Sequence, residues 1–261
     1  MTEKRPKKIP VHEVFGPTIQ GEGMVIGQKT MFVRTGGCDY SCSWCDSSFT
    51  WDGSARATMM TPQEIWEKLV DGQIVGNPDN PSRPKLNFNH VTISGGNPAL
   101  FGGVLDEFID ICEDHGVRVG LETQGSRWQE WFYRIHDLTI SPKPPSSGMT
   151  TNWEVLDDIL QKLHTYDATD YSLKVVIFDD ADFEYAKEVY DRYVNRKGLA
   201  YASDFYVSVG NKDAHEEGDI SGRLLEKLDW LWQKVINDPE CNNWKPLPQL
   251  HTLVWANKRG V

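Results

Sequence analysis

Three cysteines stand within eight residues, Cys38-Asp-Tyr-Ser-Cys42-Ser-Trp-Cys45, in a C-x3-C-x2-C spacing. They follow the apolar run Met31-Phe32-Val33 and the turn Gly36-Gly37, so they occupy a loop that leaves a strand. Thiolates gathered on such a loop can wrap an iron–sulfur cluster. Structural zinc is the alternative, and it takes four ligands. His90 or Asp46 would then have to complete the set. A disulfide framework fits poorly, because the five cysteines are odd in number and only three are crowded together. That usage suits a reducing compartment. Cys112 lies on a helical apolar stripe and reads as a core cysteine, whereas Cys241 falls in a polar loop and receives no role.

The rest of the chain alternates strand and helix patterns. Strands are expected at Met31–Val33, Val91–Ile93, Val117–Leu121, Leu138–Ile140, Ser172–Phe178 and Phe205–Val209. Between them, Thr61-Pro62-Gln63-Glu64 is a capping box opening a helix to Val70. Further helices are expected over 104–112, near 127–135, after the Asn152 cap, over 181–194 and over 219–236. In the last, Leu224, Leu225, Leu228, Leu231 and Val235 should face inward. Residues 71–89 lack periodicity and read as a loop insertion, and the basic N-terminus MTEKRPKKIP reads as a loose tail. Strands alternating with helices imply βαβ units and a parallel sheet. About six strands is too few for a closed eight-fold barrel. The expected fold is therefore α/β, an incomplete TIM-type β/α barrel, in one domain over residues 1–261.

The charge narrows the partners. Lys and Arg number 27 and Asp and Glu 38, a net charge of −11. A broad phosphate-backbone footprint would be basic, so a small-molecule substrate is expected and no nucleic acid. No apolar run is long enough to span a bilayer, which argues for no membrane and a cytoplasmic location.

A four-iron cluster held by three thiolates leaves one iron without a protein ligand. Such an iron can chelate the amino and carboxylate groups of S-adenosylmethionine (SAM), and the protein then orients SAM and substrate and excludes water. The cysteine motif is the signature of the radical SAM superfamily. Phe15-Gly-Pro-Thr-Ile-Gln-Gly-Glu-Gly23, Cys45-Asp-Ser47, Ser94-Gly-Gly-Asn-Pro98, Glu122-Thr-Gln-Gly125, Ser141-Pro-Lys-Pro144, Gln249-Leu-His251 and Lys258-Arg-Gly-Val261 accompany it. The set resembles the 7-carboxy-7-deazaguanine synthase family over essentially the whole chain.

That resemblance implies a radical SAM core and a carbon–nitrogen lyase. The lyase would convert 6-carboxy-5,6,7,8-tetrahydropterin to 7-carboxy-7-deazaguanine with loss of ammonia, on the route to queuosine and related 7-deazapurines. A 5′-deoxyadenosyl radical would remove hydrogen from substrate C6. It also implies a 4Fe-4S cluster on Cys38, Cys42 and Cys45, SAM as regenerated cofactor, Mg²⁺ on Ser47, a reductant such as flavodoxin or ferredoxin, and a homodimer.

SAM would contact Trp44, Cys45, Asp46, Gly96, Glu122, Ser141, Pro142, Lys143, Ser208, Val209, Gly210 and Asn211. The pterin would contact Ile19, Gln20, Gly21, Glu22, Arg34, Ser94, His251 and the carboxylate of Val261. A pterin edge carries donors and acceptors that suit amide and carboxylate groups, and an arginine fork suits its carboxylate. Asn97 departs from the family pattern, where a glutamate would meet the SAM ammonium.

Overall fold

The computed structural model describes residues 7–77, 85–166, 169–195, 204–213, 216, 218 and 220–261. Its strands and helices follow in chain order as β1 (Ile9–Ile19), β2 (Lys29–Thr35), β3 (Thr58–Met60), α1 (Pro62–Val70), β4 (Ile74–Val75), β5 (Lys85–Leu86) and β6 (His90–Gly95). Then come α2 (Gly103–Asp114), β7 (Arg118–Thr123), β8 (Asp137–Ile140), α3 (Trp153–Tyr166), β9 (Asp170–Ile177), α4 (Asp180–Tyr193) and β10 (Asp204–Val209). The chain closes with α5 (Ser221–Asn237), β11 (Trp244–Leu247) and α6 (Leu250–Trp255).

Nine strands form one sheet in the order β11-β10-β9-β8-β7-β6-β2-β1-β3. The run from β2 through β6–β11 is parallel. β1 and β3 add antiparallel strands beyond β2. β3 and β11 remain as edges, so the barrel stays open as expected. The expected six strands are all present, and β11 makes a seventh parallel one.

The strands have two faces because their side chains alternate. Val91, Ile93, Val119, Leu121, Leu138, Ile140, Leu173, Val175 and Val207 are buried in the hydrophobic core with α2, α3 and α4. The opposite positions carry Thr30, Arg34, Thr92, Ser94, Glu122, Thr139, Lys174 and Ser208. A purely structural parallel strand would be apolar on both faces. Here the polar alternates mark the face turned toward the barrel interior.

Helix signals read from the sequence hold. Thr61 and Glu64 form the reciprocal capping box, with hydrogen bonds of 3.1 and 2.7 Å. Asn152 accepts from Val155 N–H at 3.2 Å. Cys112 is fully buried on α2.

Several expectations fail. The supposed N-terminal tail becomes β1 from Ile9, with Ile9 and Val11 buried; residues 1–6 lie outside the described set. The helix expected near 127–135 is a short 3-10 helix confined to Glu130–Arg134. Gln129 and Trp131 there donate to the carbonyls of Ala99 and Phe101, which ties the segment to the preceding loop. The 71–89 insertion contains the small ribbon β4–β5, with residues 78–84 outside the described set. In α5, Leu224, Leu228 and Leu231 are buried but Leu225 is 52% exposed. Residue 219 lies outside the described set. Cys241 is buried in the core behind a short turn, not left in a polar loop.

Candidate active site

The carboxyl ends of parallel strands expose backbone groups and loops to one side of the sheet, where α/β folds build their sites. Here the cysteine loop leaves β2, Gly96 follows β6, Gln124 follows β7, and Ser141 and Lys143 follow β8. Gly210 and Asn211 follow β10, and Gln249 and His251 follow β11. All of them line one cavity of about 260 Å³. That is near the lower end of the scale of a small-molecule site.

Two glycines set its walls. A Cβ on Gly96 would meet the Gly37 carbonyl oxygen at 1.9 Å, so only glycine lets the β6 exit pass beneath the cysteine loop. A Cβ on Gly21 would meet His251 Nδ1 at 2.3 Å, so the loop after β1 presses directly on α6.

Every cysteine of the motif lines the cavity. Burial raises all three thiol pKa values, that of Cys42 to about 11. They are protonated until a metal displaces the protons. Among the described residues, three ligand atoms all within 4.8 Å of one another occur at Glu22, Asp46 and His251, and not at the cysteines. His90, the other possible zinc ligand, sits at the start of β6, beside Thr30 (2.8 Å) and Asp137 (3.4 Å), at the end of the sheet remote from the thiols.

Of the residues expected at SAM, Trp44, Cys45, Asp46, Gly96, Glu122, Ser141, Lys143, Gly210 and Asn211 line the cavity. Pro142, Ser208 and Val209 are not among its lining residues. Ser208 points inward one step below Gly210, and its buried hydroxyl has no hydrogen-bond partner among the described residues. Trp44 packs on Phe178 with ring centroids 4.8 Å apart and donates to Ser146. Lys143 donates to Ser141 at 3.3 Å and lies over the Trp44 ring.

The expected substrate residues Ile19, Gln20, Gly21, Glu22, Arg34, Ser94, His251 and Val261 all line the same cavity. Gln20 and Ser94 both donate to Glu122, at 3.3 and 3.1 Å, so Glu122 belongs structurally with them. Arg34 donates through Nε to Glu13 and through a terminal nitrogen to Ser47, both at 2.9 Å. Ser47 in turn donates to Asp46 at 3.0 Å.

Sequence reasoning missed Lys174. Its ammonium forms an ion pair with Glu22, and both side chains are nearly inaccessible, at 8% and 12%. Gln249 donates to the other Glu22 oxygen at 2.6 Å. Burial alone would raise the Glu22 pKa, but Lys174, His251 and the Gln249 bond outweigh it and hold it at about 2. Burial works against the Lys174 charge, and Glu22 and Glu122 together raise its pKa. The signal was available, because Lys174 is the one charge inside Ser172-Leu-Lys-Val-Val-Ile-Phe178.

Asn97 does not line the cavity. It is fully buried and accepts from Thr123 Oγ1 (2.9 Å) and Ala99 N–H (3.2 Å). It donates to Asp39 (2.8 Å) and Ser126 (2.9 Å). Asp39 also accepts from Gln124 at 2.7 Å, and Gln124 Nε2 lies 3.6 Å from Cys38 Sγ. A glutamate at 97 would set a second carboxylate against Asp39. Asn97→Glu is expected to cost about 2 kcal/mol, the penalty of a buried like-charge contact and lost hydrogen bonds. The melting temperature should fall by roughly 4–8 °C. A thermal melt within about 2 °C of the unaltered chain would show that the two carboxylates do not meet.

An open β/α barrel with three thiols at the carboxyl ends of its strands defines a radical SAM core. The chain resembles Escherichia coli QueE in fold, with a TM-score of 0.58 at 20% identity over 94% of this chain and 95% of that one. It also resembles Streptococcus suis SuiB solved with bound SAM, with a TM-score of 0.51 at 16% identity over 83% of this chain and 49% of that one. No protein-family model matches. The 7-carboxy-7-deazaguanine synthase of Bacillus subtilis is 56% identical over 260 residues, 98% of this chain and 99% of the relative. That of Bacillus cereus is 53% identical over 258 residues, 97% and 99% of the two chains. The chain belongs to the 7-carboxy-7-deazaguanine synthase family.

Proposed function

We propose that the chain converts 6-carboxy-5,6,7,8-tetrahydropterin to 7-carboxy-7-deazaguanine and ammonia in the cytoplasm, as a carbon–nitrogen lyase of queuosine and 7-deazapurine biosynthesis. One observation carries the reading: the three thiols share one cavity with Gln20, Glu22, Arg34 and Ser94, whose donors and acceptors suit a pterin. Cys38, Cys42 and Cys45 would hold a 4Fe-4S cluster, which together with SAM would supply the radical chemistry at substrate C6.

The chain's own residues do the positioning. Ionised Glu22, fixed by Lys174 and Gln249, accepts hydrogen bonds from the N–H edge of the pterin. Gln20 and Ser94 hold Glu122 against the same space. Arg34 gives one N–H to Glu13 and one to Ser47, which leaves donors for the substrate carboxylate. Trp44 and Phe178 form an aromatic wall, and Lys143 rests against it. Val261 lines the same cavity.

Ser47 and Asp46 support Mg²⁺ at the substrate, because both offer oxygen to a hard cation, Ser47 is bonded to Asp46, and Asp46 sits beside Glu22. A flavodoxin or ferredoxin as reductant and a homodimer complete the reading, both taken from the family.

An anaerobic assay with reductant, SAM, Mg²⁺ and the carboxytetrahydropterin should give 7-carboxy-7-deazaguanine, with SAM regenerated. Formation of 5′-deoxyadenosine without pterin turnover would remove the substrate assignment. Ser47→Ala should weaken the Mg²⁺ response by roughly 10- to 100-fold in required concentration, as loss of a metal-site group does. An unchanged Mg²⁺ titration would take Ser47 out of the metal site.

A further inference from the structure

Two guanidinium groups share one aromatic ring at the edge of the cavity. The Arg259 guanidinium lies 3.4 Å from the Phe49 ring centroid, and that of Arg34 lies 5.9 Å from it. Like charges so close need an anion between them. Glu13 on β1 supplies it, with Oε2 accepting from Arg34 Nε and Oε1 from an Arg259 terminal nitrogen, both at 2.9 Å. Arg34 and Glu13 are mostly buried, at 19% and 20% exposure, whereas Arg259 is 52% exposed. The two pairs therefore differ in strength. The Arg34 pair is sheltered, and the Arg259 pair is the weak, solvent-screened kind that opens readily.

The tail needs such a fastening. Ala256, at the end of α6, has φ 53°, in the left-handed region that a non-glycine residue adopts at a cost. That turn sends residues 257–261 back over the cavity, which Asn257, Lys258, Arg259, Gly260 and Val261 all line. Contacts made by the tail beyond α6 must offset the cost of the turn.

We propose that Glu13 is a positioning residue for substrate recognition: its single carboxylate aligns Arg34 and, through Arg259, latches the C-terminal tail over the cavity. The Arg34 side rests on the reading under Proposed function. The tail latch does not.

Two readouts test it. In Glu13→Gln, the amide can accept from only one arginine and turns its NH2 toward the other. Carboxypeptidase should then release Val261 and its neighbours about five- to tenfold faster, the effect of losing one charge-assisted hydrogen bond. The KM for the carboxytetrahydropterin should rise by a similar factor, with kcat changed less than about twofold. Arg259→Met, at an exposed side chain that the core does not need, should reproduce the faster tail release. The double variant should release the tail no faster than either single one.

Carboxypeptidase kinetics unchanged in Glu13→Gln, or additive in the double variant, would overturn the latch. Faster tail release with an unchanged KM would overturn the role in substrate recognition. If the unaltered chain fails to turn over the pterin, the substrate assignment falls, and tail release alone still decides the latch.

Discussion

A Cys42→Ala chain is expected to fold, to bind less iron, and to form no 5′-deoxyadenosine above background. Cys42 is buried in the cavity wall, and removing one sulfur from a loop side chain costs the fold little. The chemistry has no other source among the described residues, which offer acids, bases and hydrogen bonds but no one-electron centre. Activity should fall by more than about a millionfold, beyond the reach of any assay, because the whole rate enhancement depends on the group these thiols hold. Cys38→Ala and Cys45→Ala should behave alike. Cys112→Ala and Cys241→Ala should keep full iron content, since both thiols lie in the hydrophobic core and burial lifts each to about 12. Stoichiometric zinc on the three loop thiols, or deoxyadenosine formation by the Cys42 variant, would refute the assignment.

Lys174→Met should be the most damaging substitution outside the cysteine loop. It leaves the Glu22 carboxylate buried beside Gln249, His251 and the Asp46 carboxylate, with no lysine to balance it. Breaking one side of a buried ion pair costs about 3–5 kcal/mol, so the melting temperature should fall by about 10 °C. Loss of a fixed Glu22 should lower kcat/KM by about a hundredfold, the kinetic equivalent of roughly 3 kcal/mol.

The pH dependence distinguishes this from general damage. In the unaltered chain the Glu22 pKa is depressed, so its contribution to stability is present above the ordinary carboxylate range and is lost as pH falls through about 2. The Lys174 pKa is raised, so its contribution is present below the ordinary lysine range and is lost as pH rises past its raised value. Between those limits the pair is indifferent to pH. In Lys174→Met, burial pushes Glu22 upward with no lysine ammonium to oppose it. The variant should therefore grow more stable, relative to the unaltered chain, as pH falls from about 8 to about 5. A constant stability difference over that range would mean that Glu22 is not left charged and buried.

Much of this architecture is written in local patterns. The capping box at Thr61–Glu64, the apolar stripe of α2 and the Asn152 cap are short-range signals, and short-range physics decides them. The polar alternation in Val91-Thr-Ile-Ser94 and Leu138-Thr-Ile-Ser141 is enough by itself to distinguish the inner face from the outer one. β1 was hidden because lysines and Pro10 precede or open it and Gly16-Pro17 interrupts it. It is held by register against β2 and β3, which sequence periodicity does not display. Arg34, Glu22 and Ser94 were legible through family resemblance. Gln124 and Gln249 stand in the family motifs without a role attached, and Lys174 and Glu13 stand outside them; each acts through a partner up to 246 residues away. Leu225 was misplaced because a leucine-rich helix offers more apolar side chains than its packed face can take.

The contact between Gly21 and His251 has a consequence for synthesis. Leu250 N–H reaches back to the Gly21 carbonyl at 3.0 Å, beside the Gln249–Glu22 bond. During translation, Gly21 and Glu22 therefore wait for residues 249–251 to leave the ribosome before this wall can form. A polypeptide halted before residue 249 would own every thiol yet hold no finished chamber, so a partly made chain should be catalytically silent.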